Sequence, residues 1–195
     1  MPKIKYGLKN VHYAKITTVS TAGVPTYATP VAWPGAVNLN MEPQGERVVF
    51  YADNIEYFVT VPNDGYEGDY ESALVPDSFL KDILGYVQDA NGVLVEDADA
   101  QPADFALLFE FADDVHATRH VLYKVSAGRP AVAGATKEEN IDPQTETANF
   151  RATAIYNASL NKNIVKAKAP YSAVTDDPYA TWYSSVYTPT ATTVV

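Results

Sequence analysis

The chain has 195 residues, no cysteine and a formal net charge of −10 at pH 7. These values exclude disulfide-stapled folds, thiolate metal sites and cysteine nucleophiles, and they argue against nucleic-acid binding through a basic face. Fourteen tyrosines and thirteen prolines, with frequent valine and threonine, favour strands separated by turns. The polar beginning and the lack of an apolar run of about 18 residues predict neither a signal peptide nor a membrane span.

The charge is unevenly distributed along the chain. Residues 53–114 hold sixteen acidic side chains and one lysine, a net charge of −15, whereas the remainder carries +5. Lys3, Lys5 and Lys9 lie in a basic N-terminal arm, residues 1–10, which has no acidic residue. Two interpretations stay open. The acids keep a surface soluble, or the basic arm of one subunit contacts the acidic region of the next.

The first part of the chain is predicted to form strands and turns. Residues 11–19 are a strand candidate, and residues 36–53 are predicted to form a hairpin around a Pro-Gln-Gly turn. Apolar and polar residues also alternate over residues 54–75, with an Asn-Asp-Gly turn signal in the middle. We expect this segment to be a second hairpin, long and acidic, that projects from the body.

A short helix is predicted next. Residues 76–85 place apolar pairs at i,i+4 spacing, with Asp77 or Ser78 as the cap and Gly85 as the stop signal. Residues 87–96 follow with an Asn-Gly pair between apolar flanks, which is a strong signal for a tight hairpin.

The last part of the chain is predicted to hold core strands and a second helix. Alternating patterns mark four strand candidates: residues 105–111, 119–127, 145–159 and 163–169. Residues 176–187 are predicted to form a short helix, with Pro178 in its first turn and Trp182 paired with Val186. Residues 188–195 are expected to be a flexible tail.

The residues that could carry chemistry do not form a recognisable catalytic or metal site. His116 and His120 are four residues apart, but their segment is predicted to be a turn and a strand entry, without the glutamate of a metalloprotease helix. The acidic strings lack the spacing of a calcium loop. Tyr66 and Tyr70 share a strand face and are interpreted as interface or core residues. We therefore expect no enzyme activity and no cofactor.

Six segments, which together span nearly the whole chain, carry a resemblance to a known family. They are IKYGLKNVHYAKIT (4–17), AVNLNMEPQGERVVFYADN (36–54), ILGYVQDANGVLVEDADAQPADFALLFEF (83–111), LYKVSAGRP (122–130), TKEENIDPQTETANFRATAI (136–155) and ATWYSSVY (180–187). In these segments the chain resembles the major tail tube proteins of long-tailed, siphovirus-type phages of Gram-positive bacteria.

The resemblance implies a β-sandwich or barrel with one short flanking helix and a short C-terminal helix, in a single tail tube domain over residues 1–187. It implies hexameric rings that stack into a tube around a tape-measure protein, ending at tail terminator and distal tail proteins. DNA passes through the lumen without specific binding. The implied location is the virion tail, and the host cytoplasm during assembly.

Nine residues are the candidate inter-subunit contacts: Lys3, Lys5, Lys9, Tyr57, Tyr66, Glu67, Asp69, Tyr70 and Glu71. Two other classes stay open. A carbohydrate-binding β-sandwich module of a phage or cell-surface adhesin is the first alternative, and a hydrolase that uses a pair of acids is the second.

Overall fold

The alternating apolar segments pair into antiparallel strands, which make the protein mainly β. The computed structural model describes residues 6–112, 117–132, 134, 136, 144–171 and 178–191. Within them it has one helix, α1 (Asp77–Asp82), and the strands β1 (Leu8–Val19), β2 (Pro25–Tyr27), β3 (Val31–Ala32), β4 (Ala36–Pro43), β5 (Val48–Ala52), β6 (Ile55–Thr60), β7 (Tyr66–Ser72), β8 (Val87–Gln88), β9 (Leu94–Val95), β10 (Phe105–Phe111), β11 (Arg119–Ala127), β12 (Glu146–Thr153), β13 (Ile155–Asn157), β14 (Lys162–Ile164) and β15 (Lys166–Ala169).

A nine-stranded sheet forms the body of the molecule. Its strands follow the order β2-β1-β10-β11-β12-β7-β4, with β3 also paired to β1 and β15 also paired to β11. The segment between β3 and β4 connects the two edges. The Trp33 N–H donates to the Val11 carbonyl oxygen at 2.8 Å, and the Ala73 N–H donates to the Gly35 carbonyl oxygen at 2.8 Å. The sheet therefore curls back on itself and encloses a core.

Aromatic side chains fill this enclosed core. The Trp33 ring lies 4.2 Å from the Phe79 ring and 4.8 Å from the Tyr70 ring, measured between centroids. Phe79, supplied by α1, also packs edge-on against Phe105 at 5.3 Å. The Trp33 indole N–H donates to the buried Ser72 hydroxyl at 3.1 Å. Since Tyr70 and Phe105 belong to non-neighbouring strands of the sheet, the cluster ties its two sides together through the helix.

The other face of β10 and β11 is buried as well. Residues 178–187 cover it, and Trp182 and Val186 pack into a second cluster with Leu108 and Tyr123. The Trp182 indole N–H donates to the His120 carbonyl oxygen at 3.2 Å. Burying a large apolar side chain contributes about 1.5–3 kcal/mol, so this covering segment is an integral part of the fold.

The predicted C-terminal helix at 176–187 is wrong for the part of it that the structure describes. That part consists of turns, in which the Trp182 N–H donates to the Tyr179 carbonyl oxygen three residues back at 3.3 Å. The Arg119 guanidinium donates to the same carbonyl oxygen. The spacing of Trp182 and Val186 does bring both side chains to one buried face. It does so on a turn-rich segment that the sheet holds in place.

The predicted division of residues 36–75 into two hairpins is also wrong. β4 pairs with β7, and β5 pairs with β6, so residues 36–72 form a single long hairpin. Its chain reversal lies at Asp53 and Asn54, whose φ angles of 52° and 64° are those that a two-residue hairpin turn requires.

Several other predicted elements are confirmed. The helix predicted at 76–85 is α1, although Pro76 occupies its cap position and no side chain caps it. The Asn-Gly hairpin is β8 and β9, and the predicted pairing of residues 105–111 with 119–127 is that of β10 with β11. β12 and β15 cover parts of the last two strand candidates. The position of residues 192–195, within the predicted tail, lies outside the described residues.

Candidate self-assembly surfaces

The long hairpin extends beyond the sheet that holds its base. Past the last paired residues of β4 and β7, the Gln44 N–H donates to the Gly65 carbonyl oxygen at 2.9 Å, and the Asp64 N–H donates to the Gln44 carbonyl oxygen at 3.0 Å. β5 and β6 then pair only with each other among the described strands. At about 3.3 Å per residue, the arm from residue 44 to the turn reaches roughly 30 Å. We call residues 48–61 the projecting hairpin.

The base of the projecting hairpin depends on one glycine. Gly45 has a φ of 141°, and a β-carbon placed on it would lie 2.0 Å from the Pro62 carbonyl oxygen of the opposite arm. No other residue fits such an approach without moving the backbone. The sequence therefore specifies how the two arms meet where they leave the sheet.

The projecting hairpin is apolar on both faces. Phe50 lies opposite Phe58 and Val49 lies opposite Val59, and successive cross-strand pairs point to opposite faces. Eight of its large apolar side chains are 43–70% exposed: Val48, Phe50, Tyr51, Ile55, Tyr57, Phe58, Val59 and Val61. Apolar residues on both faces are typical of a strand that is covered on both sides. In the single chain these two faces are open to solvent.

The exposed area of the projecting hairpin matches that of a protein interface. Eight half-exposed side chains of about 100 Å² each amount to about 800 Å² of mostly apolar surface. A stable interface takes about 800 Å² from each partner, which is the area that the two faces of the hairpin expose together. A two-stranded ribbon without a covered face is also marginally stable on its own. The single chain therefore leaves this hairpin without a covering layer that would stabilise it.

A second surface is the outward face of β7, where the predicted acidic residues alternate with core residues. Glu67, Asp69 and Glu71 lie between polar residues of the two neighbouring strands. The three rows, from β4 through β7 to β12, are Asn38-Glu71-Thr147, Asn40-Asp69-Asn149 and Glu42-Glu67-Arg151. We call this surface the acidic sheet face.

The acidic sheet face is concave. It forms an open groove of about 660 Å³, lined by three carboxylates (Glu42, Glu67 and Asp69) and the guanidinium of Arg151. The one aromatic residue of its lining, Phe150, is buried. Among the described residues, no group of three or more acidic or histidine side chains is placed to hold a metal ion. The groove therefore presents a field that attracts cations and repels anions.

The predicted tyrosine contacts have three different environments. Tyr57 lies on β6 of the projecting hairpin and is 70% exposed. Tyr66 lies at the base of the long hairpin, half-buried, with the Lys166 ammonium 4.3 Å from its ring centroid. Tyr70 is 2% exposed, and its hydroxyl donates to the Trp33 carbonyl oxygen at 3.4 Å. Tyr70, a predicted contact residue, thus lies on the core side of β7, and its packing partners in this chain are core residues.

The three lysines predicted as contacts also differ in their surroundings. Lys3 and Lys5 lie outside the described residues. Lys9 lies on β1, and its ammonium nitrogen is 3.6 Å from the Glu110 Oε1 atom of the same chain. Lys9 is half-exposed, so it can contact a second molecule, but it also has a partner within its own chain.

Glu110 is a buried carboxylate that the sequence analysis did not single out. It accepts hydrogen bonds from the Arg119 Nε atom at 2.8 Å and from the Asn10 side-chain amide at 2.6 Å. Burial alone raises its pKa, but these hydrogen bonds and the charges of Arg119 and Lys9 together hold the pKa below its usual range. Arg119 also lies over the Tyr179 ring at 3.8 Å. The cluster joins the sheet to the C-terminal segment.

The histidines that the structure describes pack against aromatic rings. His12 stacks on Tyr183 with 4.5 Å between ring centroids, and His120 stacks on Phe109 at 5.1 Å. His116 lies outside the described residues. The described histidines are thus held in packing contacts of the two strands that carry them.

No protein-family model and no curated protein matches the chain. Among its described residues, no helix is long and apolar enough to cross a membrane.

Proposed function

We propose that the protein is a structural subunit that assembles with copies of itself, as the tail tube protein of a long-tailed phage. One observation carries this proposal: the projecting hairpin exposes about 800 Å² of apolar surface on two faces, an area that needs a partner. Assembly of identical subunits supplies that partner to every copy. A purely structural role requires neither an active site nor a cofactor.

Open strand edges support the same proposal. The outer edge of β4 has no partner strand among the described residues, and neither do the outer edges of β5 and β6. Soluble proteins protect such edges, because unpaired N–H and C=O groups invite pairing with another chain. In a ring of subunits, the sheet of one copy continues into the sheet of the next. The family resemblance of residues 4–17, 36–54 and 83–111 makes six copies per ring, stacked around a tape-measure protein, the arrangement that we propose.

The acidic sheet face suits the wall of a conduit. Duplex DNA carries one negative charge per about 1.7 Å of its axis. Glu42, Glu67 and Asp69, repeated in every subunit, repel those phosphates, so that DNA slides past without binding. We assign this face to the bore of the proposed tube.

A carbohydrate-binding module is the alternative with a specific feature in its favour, since the groove is open and rich in polar side chains. Sugar rings usually stack on exposed aromatic side chains. The groove offers Phe150, which is buried in the core. The groove therefore supports an electrostatic role better than it supports sugar binding.

Electron microscopy of the purified protein tests the proposal. Negative staining at high protein concentration, with sizing chromatography beside it, is expected to show hollow tubes or six-fold rings. The Phe58→Asp variant is expected to stay monomeric, because a carboxylate on the exposed hairpin opposes burial without touching the core. Val19→Asp changes an equally accessible apolar residue of the body and serves as the control.

Two results would contradict the proposal. One is a wild-type protein that forms neither rings nor tubes at any concentration and salt. The other is a monomer that is retained by immobilised glycans, which would favour the carbohydrate-binding alternative.

A further inference from the structure

We propose that the turn between β8 and β9 is a site of spontaneous chemical modification, where Asn91 converts to aspartate or isoaspartate, and that the Asp89 carboxylate restrains this conversion. The inference does not depend on the proposed function. The chain has eleven asparagines, and Asn91 is the one that a glycine follows. Asn91 and Gly92 are both exposed, so water and base reach the bond between them.

The reaction uses the backbone nitrogen of the residue that follows the asparagine. The Gly92 nitrogen loses its proton to a base and bonds to the Asn91 Cγ atom, which closes a succinimide ring. The Cγ–Nδ2 bond then breaks, and the side-chain nitrogen leaves as ammonia. Water opens the ring at Cγ to give aspartate, or at the main-chain carbonyl carbon to give isoaspartate. Glycine favours the first step, because it has no side chain that obstructs its nitrogen.

The folded turn holds the Gly92 nitrogen away from this reaction. Its N–H donates to the Asp89 carbonyl oxygen at 3.1 Å, and the Asp89 N–H donates to the Val93 carbonyl oxygen at 2.9 Å. With the Gly92 φ of 85°, these bonds define a tight hairpin loop that ends in a left-handed residue. An N–H group that is engaged in a hydrogen bond gives up its proton less readily. A fixed loop also keeps the nitrogen from turning toward the Asn91 side chain.

The Asp89 carboxylate closes the same turn with its side chain. Its Oδ1 atom accepts hydrogen bonds from the Val93 N–H at 2.8 Å and from the Asn91 N–H at 2.9 Å. Hydrogen bonds from the backbone, that of Val93 first among them, lower the pKa of Asp89, so the carboxylate is charged at neutral pH. Loss of the Gly92 proton would place a second negative charge beside it, which is unfavourable. Asp89 therefore opposes the conversion both by holding the loop and by its charge.

Conversion would open this hairpin. Isoaspartate carries the main chain through its former side chain, so it lengthens the backbone between Asp89 and Gly92 by one carbon atom. The hydrogen bond from Gly92 to Asp89 and the register of β8 with β9 depend on the original length. Either product also adds a negative charge beside Asp89.

Mass spectrometry of one tryptic peptide measures the conversion. Trypsin releases residues 82–119 as a single peptide, in which Asn91 is the only asparagine. Replacement of the amide NH₂ group by OH raises the mass of this peptide, and fragment masses assign the change to residue 91.

Folded wild type, wild type unfolded in urea and folded Asp89→Ala are incubated at one mildly alkaline pH and compared. Asp89 is exposed and lies outside both apolar clusters, so the body of the variant should stay folded. We expect the unfolded chain to convert fastest. Asp89→Ala should convert roughly tenfold faster than folded wild type, because loss of the hydrogen bonds to a charged group raises the fraction of open loops.

Two further variants separate the role of Asp89 from a general loosening of the chain. Asp97 Oδ1 accepts the Asp99 N–H at 2.9 Å and so caps a different turn of the same peptide, and Asp97→Ala should convert at the wild-type rate. Asp89→Asn keeps an oxygen that can accept the same hydrogen bonds but loses the charge. Its rate should lie between those of wild type and Asp89→Ala.

Three results would overturn the inference. Folded Asp89→Ala could convert no faster than folded wild type, or Asp97→Ala could accelerate conversion as much as Asp89→Ala does. Folded wild type could also convert as fast as the unfolded chain, in which case the turn protects nothing. None of these results bears on whether the protein forms rings or tubes, which electron microscopy decides separately.

Discussion

Single residues of this protein decide where charge can be buried and where the backbone can turn. Glu110 is 5% exposed, yet it stays ionised because Arg119 and Asn10 donate to it. A buried carboxylate without such partners costs several kcal/mol. Glu110 binds Arg119, and Arg119 also donates to the Tyr179 carbonyl oxygen of the C-terminal segment. Through Arg119, the Glu110 carboxylate thus helps to hold this segment against the sheet.

Replacing Glu110 by glutamine should weaken the fold in a pH-dependent way. At pH 7 we expect a loss of about 1–3 kcal/mol, the usual effect of removing a hydrogen-bonded charge. The folded pKa of Glu110 lies below the unfolded value of about 4.3. Its contribution is therefore complete above that pH and is lost as the pH falls toward the folded pKa. Urea unfolding at several pH values measures the free energy of unfolding of wild type and of Glu110→Gln. The difference between the two free energies should shrink below about pH 4.3.

Glu56→Gln is the control for this pH series. Glu56 pairs with Arg47 at 2.6 Å on the exposed hairpin, and surface pairs contribute only about 0–1 kcal/mol. The assigned role of Glu110 would be contradicted if Glu110→Gln lowered the free energy of unfolding as little as Glu56→Gln does. It would also be contradicted if the effect of Glu110→Gln did not change with pH.

Elements of the structure show a division between a packed body and an uncovered ribbon. The body has two apolar clusters, one inside the curled sheet and one under the C-terminal segment. The projecting hairpin contributes to neither of them. It follows directly from β4 and β7, and the hydrogen bonds between Gln44 and the opposite arm at Asp64 and Gly65 join it to the sheet.

The C-terminal segment should contribute to stability as a core element does. Trp182 is 1% exposed in the second cluster, and truncation of a buried tryptophan costs about 3–5 kcal/mol. We expect Trp182→Ala to lower the free energy of unfolding, measured in urea, by that amount. Val132→Ala, at a residue 89% exposed, should change it by less than about 0.5 kcal/mol. Equal effects of the two changes would show that the segment is not part of the core.

The core strands could be predicted from sequence, whereas the pairing of the long hairpin could not. β10, β11 and β12 have period-two patterns with one consistent set of buried residues. In the hairpin, Asn63 and Gly65 suggested a turn. Instead, the Asn63 side chain accepts a hydrogen bond from the Gly65 N–H at 3.1 Å, and the chain runs on from β6 into β7 without reversing its direction. The true turn at Asp53 and Asn54 lacks the glycine that usually marks such turns.

The candidate site was predicted only in part, because sequence patterns do not show what covers a strand. Glu67, Asp69 and Glu71 lie outward, as their alternation predicted. The run of apolar residues in the projecting hairpin is typical of a core strand. That these residues are uncovered is visible only in the structure, where the hairpin lies outside the sheet. Tyr57 was predicted as a contact without that reason.

The whole molecule combines exposed apolar side chains with an uneven distribution of charge. Glu67, Asp69 and Glu71 of the acidic sheet face belong to residues 53–114, whose net charge is −15, whereas the basic arm comprises residues 1–10. Contacts between opposite charges accelerate and orient association more than they strengthen it. The rate of the proposed assembly should therefore depend on the salt concentration, whereas the stability of the assembly should depend on the hairpin.

Charge reversal in the basic arm should weaken polymerisation at low salt. Lys9 pairs with Glu110 in the same chain, so its reversal would also disturb the fold. Lys3→Glu/Lys5→Glu avoids that problem. We expect light scattering to show slower assembly at about 50 mM salt and little difference at about 500 mM, where screening is strong. Unchanged assembly at low salt would contradict the role of the arm.

Charge reversal on the acidic sheet face should instead change how an assembled tube treats DNA. Glu67→Lys/Asp69→Lys replaces two negative charges of each subunit by two positive ones, on the wall assigned to the bore. We expect the variant tubes to retain short duplex DNA at low salt and release it at high salt, while wild-type tubes retain none. If well-formed tubes of this double variant do not retain DNA, the acidic sheet face does not line the bore.

The long hairpin also exposes the free subunit to aggregation. Its strands combine apolar side chains, unpaired edges and few charges, which are the features of segments that stack into cross-β fibres. Productive assembly and irreversible aggregation therefore compete for the same surface, and both accelerate with concentration. A cell that makes this subunit in quantity gains from a rapid initiator, because each copy added to a growing end removes one exposed ribbon from solution.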